Sequence, residues 1–95
     1  MNKFNLNNVI DDYVNNMINE KLLDILNKEI RYVKSDIDNI NTERLFLFNG
    51  SYFDKDIYLR FDSDTRTHYG RLLKEYDKLS GKLEVLKKIK KGVSI

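Results

Sequence analysis

Asp62 and Asp64 stand two residues apart in FDSDTRTHYGRLL, the spacing with which a calcium-binding loop opens. The rest of the loop is missing. Counting from Asp62, the fifth position is Arg66, the sixth is Thr67 where the turn needs glycine, and the twelfth is Leu73 where a bidentate glutamate should close the site. Both aspartates suit a helix start instead. His68 is the single histidine, and Asp64, four residues earlier, can reach it on one helix face. No second histidine or nucleophile at catalytic spacing accompanies it. The carboxylates are spaced as solvated helix-face charges, for example Asp24 with Lys28. The four glycines are scattered rather than gathered into a phosphate loop, and the absence of cysteine excludes disulfides and thiolate metal sites. The pattern points away from an enzyme and implies no cofactor, no metal and no small-molecule substrate.

Two groups of residues remain that could bind a macromolecule. The first is aromatic: Phe46, Phe48, Tyr52, Phe53 and Tyr58 surround Asn49-Gly50 in RLFLFNGSYFDKDIYLRF. Aromatic side chains are the favoured anchors of protein interfaces, so these five are the candidate protein-binding residues. The second is basic: Lys82, Lys87, Lys88, Lys90 and Lys91 crowd the stretch before Gly92. They are candidate phosphate contacts for nucleic acid. Equally, they suit the negative end of a helix dipole.

The elements that position these groups follow from hydropathy spacing. Leu23, Leu26, Ile30, Val33, Ile37 and Ile40 step strictly by three and four, a coiled-coil seam. Upstream, Ile10, Val14, Met17, Ile18, Leu22 and Ile25 read as the same apolar face. We expect a helix over 8–40, with Asn7 or Asn8 as its cap and a kink or break near 15–19, where asparagines cluster. Asn-Gly between apolar runs is the strongest short hairpin signal, since a type I′ turn needs positive φ twice. Ile57, Leu59 and Phe61 alternate with polar neighbours. A β-hairpin over 44–61, with strands near 44–48 and 57–61, is therefore expected. Tyr69, Leu72, Tyr76, Leu79, Leu83 and Leu86 form a second seam, and Ile89 continues it, giving a helix over 64–91. Gly70 and Gly81 sit opposite that seam, where they are either tolerated or allow another backbone to approach.

The expected fold is α+β, mostly α: a long antiparallel helix pair joined by a central two-stranded hairpin, in one domain of residues 1–95. In outline this resembles the helix–hairpin–helix subunits of prefoldin-like chaperones. One face of the hairpin (Leu45, Leu47, Ile57, Leu59, Phe61) would pack on the helices. The other, with Phe46, Phe48 and Tyr58, would be covered by a second subunit, by the N-terminal segment with Phe4 and Leu6, or by a partner.

Composition bounds the biology. The chain has 95 residues and a net charge of +2. Residues 1–64 are acidic overall and residues 65–95 basic, so the two parts can attract each other. No apolar run is long enough for a signal peptide or a membrane span, which suggests a cytoplasmic protein. Eleven asparagines with no alanine, proline or glutamine suggest AT-rich coding. The expectation is a small non-enzymatic protein from a phage or mobile element that binds a host protein, such as a defence component, and inhibits or redirects it. A nucleic-acid-binding regulator and a coiled-coil assembly subunit are the alternatives, and a homodimer is expected because a two-helix seam buries little surface.

Overall fold

A computed structural model describes the backbone of residues 6–93 and the side chains of residues 11–93. Phe4 and the side chains of Leu6, Asn7, Asn8 and Ile10 lie outside that range. Three helices follow in order: α1 (Leu6–Leu47), α2 (Lys55–Arg60) and α3 (Ser63–Gly92). The first and third pack antiparallel into a rod of 80 × 17 × 16 Å, and α2 closes one end.

The seam holds the rod together. Leu26, Ile30, Val33 and Ile40 of α1 and Tyr69, Leu72 and Leu79 of α3 are buried, with Ile37, Tyr76, Leu83 and Leu86 packed around them. Their steps of three and four keep one stripe of each helix against the other along the rod. Two exposed contacts mark the register: the Glu43–His68 hydrogen bond at 3.0 Å and the Glu29–Lys82 ion pair at 2.9 Å. Both are too exposed to contribute much stability. They are equally spaced along the two helices, so residue numbers across the seam sum to a constant. By that register Gly92 lies opposite Asn19, and residues 6–18 of α1 run past the end of α3.

No strand forms among the described residues, so the fold is all-α and the expected hairpin over 44–61 is absent. The first expected strand is the last turn of α1, because the seam continues from Ile40 through Arg44 to Leu47. The second lies in α2 and its C-cap Phe61. Asn49 (φ 54°) and Gly50 (φ 98°) do adopt positive φ, but they cap a helix. The Gly50 N–H donates to Leu45 O at 2.7 Å, the six-to-one bond of a Schellman cap. A hairpin alone is marginal in water; a helix that already has a buried stripe gains more by continuing. The likeness to helix–hairpin–helix subunits therefore stops at the helix pair.

Two aspartates start the remaining helices. Asp54 accepts from the Ile57 N–H at 3.1 Å, and Asp62 accepts from the Thr65 N–H at 2.7 Å. The Thr65 hydrogen bonds hold the Asp62 carboxyl below the ordinary aspartate range. Upstream, α1 is continuous through Asn15, Asn16 and Asn19, so the expected break near 15–19 does not occur. Each asparagine costs only about 0.7 kcal/mol relative to alanine in a helix.

Candidate binding surface at the closed end

Where α1 turns into α2 and α3, the aromatic residues form one cluster with a fixed centre. Phe48 is 1% exposed. Its ring centroid lies 5.4 Å from Phe53, 5.3 Å from Phe61 and 5.1 Å from Tyr69, the last edge-on. Tyr58 joins through Phe53, Phe61 and Tyr69 at about 6 Å each. These separations are those of attractive aromatic pairs. Phe48 was expected on the binding face; it is the core of this end, because the helical continuation of α1 turns it inward among Phe53, Phe61 and Tyr69.

Around that centre the other aromatics stay open. Phe46 is 82% exposed and Phe53 51%. Tyr52 and Leu59 are also exposed, while Tyr58 is half-buried. Phe46 pairs with none of the other rings among the described residues, whereas Phe53 packs one side on Phe48 and Tyr69 and leaves the rest in solvent. The Arg66 guanidinium lies 5.1 Å from the Tyr58 ring, and its Nη2 donates to Leu59 O at 3.0 Å. Those contacts tie α2 to α3, so the open rings rest on a braced support.

Arg44 occupies a seam position and lies between two tyrosines, 5.4 Å from the Tyr52 ring and 5.6 Å from the Tyr76 ring. Its Nε is buried without a hydrogen-bond partner among the described residues. The rings provide the electrostatic partner that a carboxylate would otherwise supply. Arg44 was not singled out from the sequence, and Leu59, expected on the face packed against the helices, is exposed because that segment is helical. For Arg44 a signal exists: extending the three-four spacing past Ile40 places an arginine in the seam.

The other candidates are distributed along the rod. His68 bonds Glu43 across the helix pair instead of Asp64 on its own helix. Among the described residues no group of three His, Asp or Glu side chains could hold a metal. Lys82 is paired with Glu29, and Lys88 reaches Glu84 at 3.9 Å. Lys87, Lys90 and Lys91 are exposed on the last turns of α3, far along the rod from the aromatic end. A Cβ built on Gly70 or Gly81 meets nothing within 4 Å, so neither glycine serves a close approach within the chain. No helix among the described residues is long and apolar enough to cross a membrane.

The fold and this end define a helical hairpin with a closed aromatic cap. Compared with known families, with curated proteins and with solved structures, the chain matches none.

Proposed function

We propose that this chain is a non-enzymatic protein-binding rod whose closed end is the recognition surface. The observation that carries the reading is Phe53: its ring is packed against Phe48 and Tyr69 on one side and half open on the other. A ring held in place before contact loses little freedom on binding, and buried aromatic anchors supply most of an interface's energy. Tyr52 and Leu59 extend the exposed apolar surface on the same short segment, and Phe46 adds a further open ring on the last turns of α1. On this reading the partner is a host protein and the source a phage or mobile element; eleven asparagines with no alanine, proline or glutamine, the composition that AT-rich coding produces, support that part.

The test is affinity capture from a lysate of the natural host, with the wild-type chain beside a Tyr52→Ser, Phe53→Ser, Leu59→Ser variant. All three residues are about half exposed and none belongs to the helix seam, so the helical circular dichroism should be retained while capture of the partner is lost. Undiminished capture by a fully helical variant would contradict the proposal.

A further inference from the structure

Away from the closed end, each long helix carries a second heptad stripe beside the seam. On α1 it runs Ile18, Leu22, Ile25, Glu29, Tyr32, Asp36 and reaches Glu43; on α3 it runs from His68 through Arg71, Lys78 and Lys82 to Val85 and Ile89. The steps are again three and four, so each is one straight face of its helix. The Glu29–Lys82 and Glu43–His68 pairs join the stripes, which places both on the same side of the rod. By the register of those pairs, Leu22 lies across from Ile89. Ile25 is 63% exposed and Val85 56%, and Ile18, Leu22, Tyr32 and Ile89 are exposed beside them.

We propose that a second copy of this chain docks on this flank, related by a two-fold axis along the rod, with α1 of each copy against α3 of the other. Charge selects both the occupant and the arrangement. The α1 stripe carries only acids, Glu29, Asp36 and Glu43, while the α3 stripe carries Arg71, Lys78 and Lys82 against the single acid Glu75, which the register sets opposite Asp36 with Arg71 and Lys78 about one turn to either side. A face acidic on one helix and basic on the other is complementary to itself when the helices exchange places. A two-fold axis across the rod would set acids on acids and bases on bases. The favoured axis also lets α1 meet the other copy's α3 in the register it already uses within its own chain, with neighbouring helices antiparallel as in a four-helix bundle. The exposed parts of Leu22, Ile25, Tyr32, Val85 and Ile89, which lie within the overlap of the two helices, amount to roughly 500 Å² per copy, so about 1,000 Å² for the pair, the area that a specific interface must reach. Two closed ends then stand side by side, and the rod presents its aromatic surface twice.

Light scattering on the full chain should give twice the 11.3 kDa chain mass. Ile25→Glu with Val85→Glu should give the monomer mass with helicity kept. Lys78→Glu should weaken the dimer about tenfold or more, and adding Asp36→Lys should restore it, which a loss of folding would not allow. Spin labels on Lys55→Cys should report a short distance between the two closed ends. A monomer at high concentration, a dimer indifferent to Ile25→Glu/Val85→Glu, or labels a rod length or more apart would each overturn the proposal.

Discussion

Phe48→Ala isolates the packing of the closed end. The ring is 1% exposed and touches Phe53, Phe61 and Tyr69. Removing a buried phenylalanine costs about 3–5 kcal/mol, and the lower part of that range applies if α2, only six residues long, settles into the void. A chain of this length has about 5–14 kcal/mol of stability in all. The substitution therefore removes at least about a fifth of it, and the melting temperature should fall by more than about 12 °C. Phe46→Ala is the control. That ring is 82% exposed, and its loss should stay within about 0.5 kcal/mol. Urea unfolding followed by circular dichroism, at one protein concentration for all variants, reads both numbers. A cost below about 1 kcal/mol for Phe48→Ala, or an equal cost for Phe46→Ala, would refute the assignment of inner and outer rings.

Gly81→Ala should stabilise the chain by about 1 kcal/mol, since a Cβ there meets nothing and alanine is the better helix former; a raised melting temperature checks it, and destabilisation would mean that something packs on that face. Gly50→Ala should destabilise by about 1 kcal/mol or more, because alanine resists a φ of 98°; denaturant titration measures it. The Asp62 carboxyl is lowered in the folded chain, so its contribution is present above the unfolded aspartate pKa and is lost as pH falls through the lower folded value. Asp62→Asn should therefore flatten part of the acid limb of the stability profile, and a limb of unchanged slope would contradict the capping role.

The helix pair was legible because a three-four seam is a long, redundant signal on both partners. Leu23 to Ile40 and Tyr69 to Leu86 repeat it over several turns, and one ambiguous residue cannot erase it. Residues 44–61 were misread for a specific reason. Asn49-Gly50 announces positive φ, and two structures need that: a type I′ hairpin and a helix cap. Ile57, Leu59 and Phe61 alternate over too few residues to separate a strand from a helical turn in which Ile57 and Phe61 share a face. The deciding signals were Arg44 and Leu47, which continue the seam, and Asp54, which starts a helix. Misreading the turn also misplaced Phe48. In the N-terminal part, Ile18, Leu22 and Ile25 looked like the seam but lie one position off Asn19, Leu23 and Leu26. One position is about 100° around a helix, a different face. Ile89 is displaced in the same way, three residues from Leu86 but on the stripe of Val85.

The central claim is that the closed aromatic end meets the partner. Hydrogen exchange of the captured complex, compared with the free chain, tests it directly. Slowed exchange confined to the last turns of α1, residues 51–60 and the first turns of α3 is the predicted result. Unchanged exchange there, with new protection only near the lysines of the last α3 turns, would contradict it.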